Sequence, residues 1–124
     1  MIREFIDKAH ANLSAAQLCF ENDLLDAAAN RAYYAAFQAA VAALASEGVK
    51  KDQLDHKWVQ AQFSQKLIKR KKIFPRRFRS YLLESQSVRN TADYEADHVT
   101  RNDAKGQIQR AREIIDHSMK GIER

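Results

Sequence analysis

Residues 27–44, AAANRAYYAAFQAAVAAL, decide the fold of this chain because they form a strong helical segment. Ten of these 18 residues are alanine, the best helix former. Tyr34, Phe37, Val41 and Leu44 recur at steps of three or four residues, which places them on one face of a helix. We predict a core helix that runs to about residue 46, with small side chains that let neighbouring backbones approach closely.

Two features of this helix are unusual for a purely structural element. Arg31 interrupts an otherwise apolar surface, and the hydroxyls of Tyr33 and Tyr34 are expected on different faces. Buried hydroxyl and guanidinium groups need hydrogen-bond partners. We therefore expect this helix to carry a polar site or an interface as well as part of the core.

The rest of the composition favours long helices with short connections. The chain has 124 residues, which fits a single domain over 1–124, and only three Gly and one Pro, too few for a sandwich or barrel. We predict an all-α fold, an up-and-down antiparallel bundle of four to five helices. One cysteine, Cys19, indicates a reducing, cytoplasmic location. We see no signal peptide, and no apolar run approaches the ~18 residues that span a membrane.

Capping and turn residues predict where the other helices begin and end. A first amphipathic helix ends near residue 21, and either Asn22 or Asp23 is expected to cap the second. The remaining signals are Gly48 at the end of the second helix, Asp55 as the cap of the third, Pro75 in the first turn of the fourth, and a capping box of Thr100 with Asp103 at the fifth.

Positive charge is concentrated in the middle of the chain. Residues 50–90 hold 12 Lys and Arg against three acids, whereas the net charge of the whole chain is +5. This basic surface predicts a nucleotide, an RNA or an acidic partner. The alternative is a solvated face that only keeps the protein soluble. The basic patch comprises Lys66, Lys69, Arg70, Lys71, Lys72, Arg76, Arg77 and Arg79.

Polar residues also cluster near the end of the fourth predicted helix. Arg89 and Asp93 are four residues apart and can pair, and Asn90 and Tyr94 form an adjacent polar stripe. His98 follows in the next turn. Such density predicts a ligand or partner site, and the alternative is a surface ion pair beside a tyrosine at the core edge. The complete set of candidate binding residues is Arg31, Tyr34, Arg89, Asn90, Asp93 and Tyr94.

The chain resembles the HEPN domain family (higher eukaryotes and prokaryotes nucleotide-binding). The resemblance rests on RAYYAAFQAAVAAL at 31–44, on Asp55-His56-Lys57 with Phe63 behind it, and on RNTADY at 89–94. It implies a helical bundle that commonly forms a homodimer. It also implies a nucleotide- or RNA-binding module, or a partner-binding one, that is paired with a minimal nucleotidyltransferase as in a toxin–antitoxin system. No cofactor is implied.

The resemblance also implies an alternative function, a metal-independent ribonuclease toxin. In the family's ribonucleases, an Arg and a polar residue precede a His, with four to six residues between Arg and His. Arg89 and Asn90 match, but Tyr94 holds the first His slot and eight residues separate Arg89 from His98. We therefore name Arg89 and His98 as catalytic candidates and expect His56 to be structural. No His, Cys or carboxylate pair has metal-binding spacing, so we predict no metal site.

Overall fold

The computed structural model describes residues 2–51, 55–70, 74–95 and 98–122, which form an all-α bundle of five helices. Within these ranges there is no β-strand, and no helix is long and apolar enough to cross a membrane. The helices are α1 (Ile2–Glu21), α2 (Leu25–Ser46), α3 (His56–Gln62), α4 (Tyr81–Tyr94) and α5 (Arg101–Ile122).

Helix α2 lies at the centre of the bundle and packs against α1, α4 and α5. Its alanines are almost all buried, which lets three helices approach it at once. Val41 and Leu44 of the predicted apolar face are buried, and Tyr34 and Phe37 are half-buried. Tyr33, which lies outside that face, is only 1% exposed, so the buried surface of α2 is wider than the sequence pattern predicts.

Most of the predicted helix ends are confirmed. Gly48 has φ +79°, and the N–H of Val49 donates to Leu44 O at the end of α2. Asp55 Oδ1 accepts a 2.8 Å hydrogen bond from the Trp58 N–H and so caps α3. At α5, the Thr100 hydroxyl accepts a 3.1 Å hydrogen bond from the Asp103 N–H.

The predicted cap of α2 is wrong. Leu24, not Asn22 or Asp23, occupies the position before the helix, and no side chain caps it. Asp23 adopts φ +63° and turns the chain. Asn22 instead donates from its amide back to Leu18 O, so its side chain terminates α1.

The third predicted helix is not one regular α-helix. After α3, residues Phe63–Arg70 form a π-helix, whose wider turn buries Phe63, Leu67 and Ile68 together. Pro75 precedes a 3₁₀ segment, Arg76–Ser80, that leads directly into α4. Pro75 therefore lies one residue before the helical turn that it was predicted to occupy.

Candidate functional site

Arg89 is the centre of a cluster of aromatic and polar side chains where α2, α3 and α4 meet. Its guanidinium carbon lies 5.5 Å from the ring centre of Tyr33 and 5.6 Å from that of Tyr34. The ring centre of Tyr94 is 5.3 Å away. The Arg89 side chain is only 12% exposed, so these rings replace much of its hydration. We call this cluster the Arg89 site; it comprises Arg89, Asp93, Tyr33, Tyr34, Tyr94 and His56.

Polar contacts fix the Arg89 guanidinium in one orientation. Its Nε lies 3.1 Å from Asp93 Oδ2, which is the ion pair that the spacing predicts. Asp93 Oδ2 also accepts a 2.7 Å hydrogen bond from the Asn30 amide on α2. Arg89 Nη2 donates to the hydroxyls of Tyr34 at 3.1 Å and Tyr94 at 3.4 Å. Among the described residues, Nη1 has no hydrogen-bond partner. Nε lies close to Asp93 but makes no hydrogen bond of acceptable geometry, and because Nε is fully buried, Nη1 is the unpaired donor that a ligand can reach.

The neighbours of Arg89 also secure its charge. Burial acts to lower the pKa of the guanidinium, but Tyr34, Tyr94 and Asp93 together outweigh burial and raise it. Arg89 is therefore cationic at neutral pH. A guanidinium that is partly buried, charged and has one unpaired N–H group is suited to bind a phosphate group.

His56 reaches the same site from the first turn of α3. The Asp55 cap fixes the start of this helix and so directs the imidazole towards α2. His56 Nδ1 is hydrogen-bonded to the Tyr33 hydroxyl, and the two ring centres are 5.4 Å apart. The Phe37 ring packs on the imidazole with its centre 5.0 Å away.

The electrostatic surroundings of His56 favour its neutral form. Burial lowers the pKa of the imidazole, the positive charge of Arg89 lowers it further, and Asp55 opposes both. Burial also raises the pKa of the Tyr33 phenol, which therefore stays protonated. His56, for which the sequence predicts a structural role, thus contacts the same tyrosine ring as Arg89 does.

The hydroxyls of the two tyrosines of α2 have different partners, His56 for Tyr33 and Arg89 for Tyr34, but their rings belong to one cluster. Both rings contact the Arg89 guanidinium, and they pack edge to face with centres 5.4 Å apart. Helix α4, which carries Arg89, packs on α2, which carries both tyrosines. The polar site predicted on this helix is therefore one cluster.

Arg31 lies at the edge of the site and is exposed. Its Nη2 and Nε donate to Asn30 Oδ1 at 2.6 and 3.0 Å, and Nη1 donates to Asn12 Oδ1 at 3.3 Å. The guanidinium also lies 5.4 Å from the ring centre of Tyr34. Asn90, the other predicted binding residue, is exposed on α4 next to Arg89.

The structure places His98 at the start of α2. Its Nδ1 lies 2.8 Å from Asp26 Oδ2, and the N–H of Val99 donates to Asp26 Oδ1 at 2.8 Å. The hydrogen bonds from Val99 and His98 hold the pKa of Asp26 below its usual value. His98 therefore connects the segment before α5 to the start of α2 through Asp26. Its role as a catalytic candidate beside Arg89 stays a prediction.

Three residues of the basic patch, Lys69, Arg76 and Arg79, line a groove at the other end of α4. Arg77 pairs with Glu113 at 3.9 Å, and its guanidinium lies 4.9 Å from the ring centre of Phe78. Lys71, Lys72 and the side chain of Arg70 lie outside the described residues. The groove has a volume of about 520 Å³ and is lined by Ile68, Lys69, Phe74, Pro75, Arg76 and Arg79.

The described part of the chain contains no group of three or more His, Cys, Asp or Glu side chains placed to hold a metal ion. Cys19 is half-buried and unpaired as a disulfide. The ionisable groups of the Arg89 site are the guanidinium, the Asp93 carboxylate, three phenols and one imidazole.

Comparison with known proteins finds a matching family and a relative. The HEPN domain family matches residues 2–122. The chain is 32% identical over 124 residues to a protein of Methanocaldococcus jannaschii named "Putative toxin MJ0605". That similarity covers 98% of this chain and 88% of the relative.

Proposed function

Because the chain belongs to the HEPN domain family, we propose that it is a toxin-like protein whose Arg89 site binds a phosphate group of RNA. The name of the archaeal relative supports the toxin-like assignment. The family match alone names no ligand, so the argument for RNA comes from the charges and contacts of this chain.

The observation that carries the proposal is the state of the Arg89 guanidinium. Tyr34, Tyr94 and Asp93 hold it in place while Nη1 stays without a partner in the described residues. A guanidinium that is already oriented loses little rotamer entropy when it binds an anion. A phosphodiester oxygen supplies the acceptor that this N–H edge lacks.

The groove at the start of α4 favours the binding of an extended strand rather than of a single nucleotide. Lys69, Arg76 and Arg79 border it, and no ion pair is seen for them in the described part of the structure. Arg79, in the 3₁₀ segment that leads into α4, and Arg89, in α4, are ten residues apart, which is about 15 Å at the rise of an α-helix. A short single strand that contacts both ends of α4 would combine phosphate contacts with an apolar groove wall.

The test is RNA binding by fluorescence anisotropy, with a labelled single strand of about 12 nucleotides. We expect the affinity to fall as salt is raised, because phosphate contacts release counterions. The Arg89→Gln variant should bind at least tenfold more weakly, whereas Arg112→Gln, an exposed arginine on α5, should bind normally. Equal affinity of the Arg89→Gln variant and the wild type would refute the proposal.

We also propose that the protein works in a pair with a minimal nucleotidyltransferase. Tyr94 supports this part of the proposal, since its ring contacts Arg89 while the residue is 72% exposed. Its hydroxyl is therefore accessible to a partner enzyme that transfers a nucleotide. Co-expression with a neighbouring nucleotidyltransferase should add the mass of a nucleotide to the wild type, and not to Tyr94→Phe.

A homodimer is the assembly that we propose for the protein. Leu83 of α4 is a large apolar side chain that is 62% exposed. We propose that it packs against a second copy of the chain.

A further inference from the structure

Arg31 is a cation beside the Arg89 site that the proposed function leaves without a role. It lies on α2, its side chain is exposed, and it contacts the same tyrosine ring, that of Tyr34, as Arg89 does. We propose that Arg31 binds the phosphate next to the one at Arg89, so that the two arginines together bind two successive phosphodiesters of a single RNA strand. This inference rests on the proposed binding of RNA at Arg89.

The Tyr34 ring sets the spacing of the two guanidinium groups. The guanidinium carbon of Arg31 is 5.4 Å from the ring centre and that of Arg89 is 5.6 Å from it, so the sum of these distances, about 11 Å, is the largest possible separation of the two carbons. Successive phosphates of a strand are separated by a single sugar, so two cations this close can each bind one of them.

The side chain of Asn30 also connects the two arginines. Its Oδ1 accepts hydrogen bonds from Arg31 Nη2 at 2.6 Å and Nε at 3.0 Å, and its Nδ2 donates to Asp93 Oδ2 at 2.7 Å. Asp93 is in turn the ion-pair partner of Arg89. One connected set of contacts therefore holds both guanidinium groups, so less side-chain freedom is lost when one ligand binds both.

The charges around Arg31 favour an anion as its missing partner. Its hydrogen bonds are to neutral amide oxygens, those of Asn30 and Asn12, and no carboxylate in the described part of the chain pairs with it. Asp93 is the one described carboxylate that pairs with Arg89, so the two arginines together keep an excess positive charge. Like charges this close repel each other, and a phosphate at Arg31 relieves that repulsion.

Arg31 also has N–H groups left for a phosphate. A guanidinium has five N–H groups, and the hydrogen bonds to Asn30 and Asn12 use three of them. The other two, one on each Nη, have no partner among the described residues, and the side chain is exposed. Phosphate oxygens are suitable acceptors for both.

The first test uses two unlabelled competitors of the labelled single strand, both without terminal phosphates. A trinucleotide has two successive phosphodiesters, whereas a dinucleotide has one. The wild type should prefer the trinucleotide by at least about tenfold, because only the longer ligand reaches both arginines. In Arg31→Gln this preference should fall to about twofold, since the trinucleotide still offers one more register. Arg112→Gln, which makes the same change in charge on α5, should keep the wild-type preference.

The salt dependence of the affinity for the labelled strand counts the phosphate contacts independently. Each phosphate neutralised on a single strand contributes about 0.7 to the slope of log affinity against log salt. Arg31→Gln should lower this slope by about 0.7, and Arg31→Lys, which keeps the charge, should keep the slope of the wild type. A purely structural role of Arg31 would leave the slope of Arg31→Gln unchanged. If Arg31→Gln folds poorly, the preference of the wild type for the trinucleotide decides.

Each outcome decides one of the two proposals. An unchanged slope in Arg31→Gln, or a wild type that binds the two competitors within twofold of each other, overturns the role of Arg31 and leaves RNA binding at Arg89 intact. Absence of salt-dependent RNA binding by the wild type, or normal binding by Arg89→Gln, overturns the proposed function and this inference with it.

Discussion

The replacement of Arg89 by alanine tests how much this residue stabilises the packing of α4 on α2. The hydrogen bond from Nη2 to Tyr34 contributes ~1 kcal/mol to the free energy of unfolding. The ion pair with Asp93 adds ~0.5 kcal/mol. The contacts with the tyrosine rings add ~1 kcal/mol in a site where the side chain is 12% exposed. We therefore expect Arg89→Ala to lower the free energy of unfolding by about 2 to 3 kcal/mol.

Urea denaturation followed by far-ultraviolet circular dichroism measures this loss. With a slope of about 1 to 2 kcal/mol per molar urea, the midpoint should fall by between about 1 and 3 M. Arg31→Ala is the matched control, because this exposed arginine also contacts the Tyr34 ring, at 5.4 Å. Arg31→Ala should lower the free energy of unfolding by at most ~1 kcal/mol. Equal midpoints for the two variants would refute the reasoning that burial strengthens the contacts of Arg89.

Three other predictions follow from local features of the structure. Because the pKa of Asp26 is lowered in the folded protein, its carboxylate stabilises the fold at neutral pH, and this contribution is lost as pH falls below about 4. The melting temperature of Asp26→Asn should therefore change less than that of the wild type between about pH 6 and 3. Gly48→Ala should lower the free energy of unfolding by about 1 kcal/mol, because φ at this position is +79°. Gly106→Ala should raise it by up to ~1 kcal/mol, since the added Cβ would meet only the flexible end of Arg110. Chemical denaturation of both variants checks these opposite signs. Leu83→Asp should convert the proposed homodimer to a monomer, and light scattering that gives one mass for both proteins would contradict this.

The fold was predictable because its signals are local. The alanine content of α2, the apolar spacing along it and the cap at Asp55 each act within a few residues. Gly48 ends α2 for the same reason, as its positive φ is a property of one backbone position. The predicted cap of α2 was wrong because Asp23 forms a left-handed turn instead. Aspartate is common both in such turns and at helix caps, so the neighbouring sequence did not distinguish the two.

The Arg89 site was only partly predictable because it is assembled from three helices. The pair of Arg89 and Asp93 lies within one helix, so spacing was sufficient to find it. The contact between Tyr33 and His56 spans 23 residues and depends on how α3 docks on α2. The one available signal was the position of His56 directly after a helix cap, where the first turn fixes the direction of a side chain.

The location of the site at the junction of a central and a peripheral helix has a consequence for hydrogen exchange. Tyr33 lies on α2, which three helices surround, while Arg89 belongs to α4, which packs mainly on α2. Amides of α2 should exchange only when the whole bundle unfolds, whereas those of α4 can exchange through a smaller opening. That smaller opening is enough to separate the guanidinium from its tyrosines. An anion that bridges the two helices should therefore protect the α4 amides first, before any change in the exchange of α2.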